Sequence, residues 1–216
     1  MGTVIAFVLS ALAMAEASPD LHKLAQHPGL ITYQDPSRFI WNDTNAYLLR
    51  VSVVTDSVRE ELQVPCVRSR YWSNTTEIVE RSIDVYNKMD HSQNSSINIS
   101  LTVGYQGHKN VLNVYPRGQD LPKMNNTDLG FDIDSHFPND TFLVLFSDAN
   151  CLILAKTLKT KKVQRPWLQC SMWLPQHRIK KPPRCCQFIF QLLCAYMDQV
   201  VEVFDESCLD NSKKAA

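Results

Sequence analysis

The chain has 216 residues, 44% of them hydrophobic, and its 22 basic and 22 acidic side chains leave a formal net charge of zero. That length allows one domain with a sizeable core. The even charge gives no basic face for nucleic acid: the one basic run, Lys156 to Arg165, lacks interleaved aromatics and reads as a solvated loop.

Residues 1–17 read as a cleaved signal. Val4 to Ala13 is a short apolar run, and both Ala13-Met14-Ala15 and Ala15-Glu16-Ala17 fit the A-x-A pattern, with the cut expected after Ala17. The alternative is a buried N-terminal strand or helix. The run is shorter than the roughly 20 apolar residues of a membrane span. No second long run follows, so the product is expected to be secreted, extracellular and without a membrane span. Residues 18–45 are irregular and Pro-rich, a barrel with its helix is expected over 46–210, and 211–216 form a tail.

From Tyr47 onward, apolar residues alternate at period two, the signature of half-buried strands. The pattern predicts strands over Tyr47–Val54, Cys66–Ser73, Ile78–Asn87, Ile97–Tyr105, Asn110–Tyr115, Phe142–Phe146, Cys151–Thr157 and Leu168–Leu174, with Phe131–Asp134 a ninth short strand or a loop. Cys185–Met197 carries apolar residues at 188, 189, 192, 193 and 196, which is helical spacing, and Pro182-Pro183 stands just before it. Eight sequential strands followed by one helix predict an all-β fold: an eight-stranded antiparallel up-and-down barrel with a C-terminal helix.

Six of the seven cysteines, all but Cys66, lie in the last third of the chain. This layout predicts a C-terminal helix stapled to the outside of the earlier β structure. There is no C-x-x-C, which removes the usual zinc and thioredoxin-like spacings. There is also no H-E-x-x-H and no G-x-S-x-G, so no metal, cofactor or enzyme activity is expected.

Six N-x-S/T sequons, at Asn42, Asn74, Asn94, Asn98, Asn125 and Asn139, predict N-glycosylation at several of them. They also orient the strands, because a glycan cannot point into a small closed barrel. With Asn98 outside, Ile97, Ile99, Leu101, Val103 and Tyr105 face the lumen by pleat alternation. Asn74 and Cys66 outside turn Val67, Ser69 and Tyr71 inward. Thr141, part of a sequon, turns Phe142, Val144 and Phe146 inward. On the first strand Tyr47, Leu49, Val51 and Val53 form the apolar face. A filled core without a cavity fits the same alternation.

Three stretches carry a family resemblance: FLVLFSDANCLIL (142–154), QCSMWLP (169–175) and PPRCCQFIFQLLCAY (182–196) with the trailing Cys208. Together with the strand pattern they resemble the tick salivary lipocalins, which include the histamine-binding proteins, over about residues 41 to 208. The resemblance implies a secreted barrel that traps a small host mediator (a biogenic amine, a leukotriene or fatty acid, or a sterol) and so modulates the host immune or inflammatory response; a monomer is expected, with a disulfide dimer through an unpaired Cys185 the alternative. It also implies disulfides Cys66–Cys208 and Cys151–Cys186, with Cys170–Cys194 a third and Cys185 left over.

Amine-binding members carry an acid just after the cysteine of the penultimate strand and another just before the aliphatic-Trp pair of the last. Here those positions are Leu152 and Ser171, so both charges are missing. The same alternation places Leu152, Leu154, Ser171 and Trp173 in the lumen. Glu80 and Asp84 on one face of the third strand, or Asp132 and Asp134, are the substitute carboxylates to consider; the competing reading of each is a solvated acid outside the lumen. The expected partner is therefore a small hydrophobic or amphipathic mediator, such as a sterol, fatty acid or leukotriene, with Tyr47, Tyr71, Tyr105 or Ser171 meeting its polar group. Histamine or serotonin binding is the alternative, as is an effector that contacts a host immune protein through its barrel loops.

Overall fold

A computed structural model describes residues 31–53, 64–89, 94–106, 109–117, 140–158, 167–194 and 199–209. A short helix α1 (Ser37–Ile40) precedes eight long strands: β1 (Ala46–Val53), β2 (Cys66–Asn74), β3 (Ile78–Tyr86), β4 (Asn94–Gln106), β5 (Lys109–Arg117), β6 (Asp140–Asp148), β7 (Cys151–Leu158) and β8 (Trp167–Pro175). Helix α2 (Arg184–Cys194) and a ninth strand β9 (Gln199–Glu202) follow. The predicted signal, the tail, Phe131–Asp134, Asn125, Asn139 and most of the basic run lie outside the described residues.

Every strand from β2 to β8 pairs antiparallel with the next, β8 pairs with β1, and β1 returns to β2 through Ala46–Ser69 and Tyr47–Arg68. The barrel is thus closed, which leaves its eight strands without a free edge pair. Farther along β1, at Arg50–Val53, the neighbour is β9. Four residues are too few to carry a period, so β9 went unpredicted.

The alternation separates two apolar layers. Inside, Val79, Ile99, Leu101, Leu112, Val144, Leu152 and Leu154 pack with Phe39 and Ile40 of α1. Outside, Leu145, Ile153, Met172 and Leu174 lie under α2, which buries Cys186, Phe190, Leu193 and Cys194 against them. That spacing of four, three and one is a helix face, and Phe190 alone contributes about 1.5–3 kcal/mol by leaving water. Phe188, counted in the predicted apolar stripe, is instead 64% exposed on the far side of α2. Helical rotation sets it apart from residues 186, 190 and 193.

Three disulfides lock the layers: Cys66–Cys208, Cys151–Cys186 and Cys170–Cys194. The first joins β2 to the segment after β9 across 142 residues of sequence; the other two fasten α2 to β7 and β8. The Tyr86 hydroxyl donates to the Cys208 carbonyl at 2.5 Å, and Lys88 pairs with Asp205 at 2.6 Å. Cys185 is free and exposed.

Among the described residues, no helix is long and apolar enough to cross a membrane.

Candidate functional site: the barrel lumen

The lumen face of β7 and β8 follows strand alternation. Leu152 lies opposite Trp173, and Leu154 opposite Ser171, while the intervening Ile153 and Met172 turn to the α2 side. Trp173 Nε1 donates to Ser171 Oγ at 3.2 Å. Ile99, Leu101 and Val103 on β4, Tyr71 on β2, and Phe142 and Val144 on β6 belong to the same interior cluster. Val51 joins Leu48, Val53, Val67 and Trp173 at the adjoining wall.

Tyr47, Tyr105 and Phe146, all expected in the lumen, lie elsewhere. Tyr47 is on the outer side, opposite Leu174 and edge-on to Phe204 at 5.7 Å between ring centroids. The cause is a β-bulge between Leu48 and Arg50, which reverses alternation along β1. Residues before it follow one phase, so Leu48 faces in and Tyr47 and Leu49 face α2; after it Val51 and Val53 face in. Tyr105 has the right phase but is 80% exposed, because it sits one residue from the end of β4 and beyond the packed interior. A second bulge, between Val144 and Phe146, turns Phe146 to the α2 layer as well, where it stacks on Tyr33 at 5.8 Å.

Of the substitute carboxylates, the two described ones, Asp84 and Glu80, do not enter the lumen. Asp84 lies on the outer face of β3, buried under Arg68 and Arg70 at 3.1 and 2.5 Å and bonded by Ser96 at 2.7 Å. Burial pushes its carboxyl up, but the hydrogen bonds from Arg70 and Ser96 and the charges of Arg70 and Arg68 outweigh this and hold it below its ordinary value. Glu80, on the same outer face, accepts from Ser100 and pairs with Arg117 at 2.7 Å. Asp132 and Asp134 lie outside the described residues.

The alternate face of β3 brings an interior residue that sequence reasoning missed. Arg81 stands between Val79 and Ile83, pairs across the sheet with Tyr71 and Ile99, and is 3% exposed. Its Nε donates to Ser69 Oγ at 3.0 Å, Nη1 to the Ile40 and Asn42 carbonyls at 3.0 and 2.9 Å, and Nη2 to the Thr44 and Ser69 carbonyls at 2.7 and 3.3 Å. One guanidinium thus ties the α1–β1 segment across the end of the barrel where β1 begins. All its acceptors are neutral. Burial lowers its pKa to about 10, opposed by Tyr71, so it stays charged at neutral pH. A basic residue at the inward phase of a strand, between two aliphatics, was the available signal.

Asp148, Cys185 and Cys186 offer donor atoms within 4.8 Å of one another. The Cys186 sulfur is spent in a disulfide, so the group does not make a thiolate metal site.

Of the sequons, Asn74 and Asn98 are exposed. A bulge between Tyr71 and Ser73 breaks the alternation from Cys66 to Asn74, so Asn74 owes its exposure to its place at the end of β2.

A closed antiparallel barrel with an apolar interior and a disulfide-fastened C-terminal helix is a ligand-binding barrel of the lipocalin class. The chain belongs to the tick histamine-binding protein family, whose model matches residues 24–210. Among solved structures it is similar to japanin from Rhipicephalus appendiculatus bound to cholesterol, at 21% identity and a TM-score of 0.50, over 77% of this chain and 96% of that one. It also aligns with AM182 in a serotonin complex, at 16% identity and a TM-score of 0.47, over 80% and 90% of the two chains. No curated protein matches the chain.

Proposed function

We propose that this protein is secreted and holds a small hydrophobic or amphipathic host mediator in its barrel, modulating the host immune or inflammatory response by sequestration. The observation that carries the reading is the lumen face of β7 and β8. There Leu152, Leu154, Ser171 and Trp173 stand where an amine trap needs carboxylates, and Glu80 and Asp84 point away. A protonated amine moved into such a lumen loses hydration worth several kcal/mol without a countercharge. Hydrocarbon gains about 25 cal/mol per Å² buried instead.

Tyr71, Val51, Ile99, Leu101, Val103, Phe142 and Val144 are the proposed remaining contacts. Japanin's structure holds cholesterol, which gives this fold a precedent for an apolar guest. The disulfides fit an oxidising, extracellular compartment.

The test is ligand extraction with mass spectrometry from protein made in glycosylating cells, followed by calorimetry with cholesterol, a leukotriene, a fatty acid, histamine and serotonin. Binding of an apolar ligand with weak or absent amine binding is expected. Sub-micromolar histamine binding would overturn the reading.

A further inference from the structure

The lumen is apolar, but it is not electrically neutral. Among the described residues of inward phase, three carry charge: Arg81, Asp140 and Lys156. Asp140 lies opposite Val114 and Lys156 is two residues beyond Leu154; they pair with each other at 3.0 Å, near the end of the barrel where β6 begins and β7 finishes. That pair cancels. Arg81 does not, since each of its five N–H groups goes to a hydroxyl or carbonyl oxygen and none to a carboxylate.

Hydroxyls on the inward faces of β2, β6 and β8 have the matching polarity. Ser69 Oγ accepts from Arg81 and Ser171 Oγ accepts from Trp173, which leaves the hydrogen of each free to donate. Ser147, opposite Leu152 on the inward phase, is 4% exposed and its Oγ is buried without a partner. A buried hydroxyl in that state favours a polar ligand atom, and beside a cationic interior that atom is an acceptor. The interior thus offers an uncompensated cation and hydroxyl donors, and its one described carboxylate, Asp140, is already paired with Lys156.

We infer that the lumen selects an amphipathic anion, a carboxylate on a long hydrocarbon chain, over a neutral lipid of the same shape, and selects most strongly against the corresponding amine. This rests on the reading of the barrel as an apolar ligand site. Arg81 acts through its field, since its donors are committed to the α1–β1 segment. In a dry lumen that field is weakly screened. Ser69, Ser147 and Ser171 each have a hydrogen that a carboxylate accepts, while the field of Arg81 is what opposes an ammonium.

Three ligands with one tail separate the possibilities: palmitic acid, hexadecanol and hexadecylamine, each titrated below its micellar concentration into the delipidated, glycosylated protein and followed by tryptophan fluorescence and calorimetry. Near neutral pH the acid is expected to bind about tenfold tighter than the alcohol, or about 1.4 kcal/mol, and the amine more weakly than the alcohol. Equal affinity of acid and alcohol, or an amine that matches the acid, overturns the inference while leaving the apolar reading standing. No binding of any of the three removes the apolar reading itself, and this inference with it. Arg81→Met, checked for folding by circular dichroism, should flatten the order of the three. Should that variant not fold, the wild-type comparison decides alone. Ser147→Ala, which only deletes a hydroxyl, should weaken the acid more than the amine; equal effects on both would count against the donor role.

Discussion

Leu154 and Ser171 face each other across β7 and β8 with both side chains on the lumen side, one residue pair away from Leu152 and Trp173. Four side chains thus make one continuous patch of the interior wall. A carboxylate placed there meets no basic side chain within the patch itself. Leu152→Asp should therefore weaken binding of a fatty acid or sterol at least tenfold, since it buries an unpaired carboxylate against the ligand. Histamine binding should rise by comparison. Parallel titrations of variant and wild type give the answer, and an unchanged affinity for both ligands would mean that Leu152 does not line the pocket.

Tyr47 and Trp173 provide the converse test of the bulge in β1. Tyr47 is buried on the outer side against Phe204. Tyr47→Ala should cost about 3–5 kcal/mol of stability, as large aromatic truncations in a core do. It should leave the ligand affinity of the folded fraction unchanged. Trp173→Ala should lower affinity as well as stability. Urea unfolding combined with calorimetry separates the two effects; equal loss of affinity in both variants would place Tyr47 back in the lumen.

The Cys66–Cys208 bridge holds β9 along the half of β1 that β2 leaves. Replacing both cysteines with serine should lower stability by about 2–4 kcal/mol, against roughly 5 in the chain-entropy model for so long a loop. Limited proteolysis should then cut first in the segment after α2. Protection there equal to wild type would show that backbone pairing alone secures β9.

Asp84 sets the acid sensitivity of the outer face. Its folded pKa lies below the ordinary 3.8, so its contribution is complete above that value and is lost as pH falls toward the folded pKa. Wild-type stability should therefore decline below about pH 4. Asp84→Asn should lose about 1–3 kcal/mol at neutral pH, since Arg68 and Arg70 keep partial exposure when their partner goes. In this variant the acid decline should be shallower. An identical pH profile in both proteins would remove Asp84 from the account.

Glycan mapping of protein from glycosylating cells should find Asn74 and Asn98 occupied, as both are exposed. Unmodified Asn98 in every preparation would contradict its placement outside the barrel.

The strands and α2 were legible because alternation and helical spacing are local properties. On stretches without interruption the inward phase followed from one outward residue, as on β4 from Asn98 and on β7 and β8 from their cysteines. The cysteine pairs were reached only through the family resemblance, and the structure contains the same three. What local phase could not show is where it breaks. The bulges at Leu48–Arg50 and Val144–Phe146 arise from register against β8 and β7, so Tyr47 and Phe146 changed sides for reasons that lie in the partner strand. Tyr105 kept its phase but passed the rim, a matter of how far the packed interior extends along β4. Arg81 is the clearest case. Alternation alone puts it inside; that it can stay there charged depends on carbonyls of Ile40, Asn42 and Thr44, 37 to 41 residues earlier in the chain. The sequence by itself determined which residues could alternate, and tertiary structure decided which were brought inside and what satisfied them there, because register, closure and hydrogen-bond partners are set between distant segments.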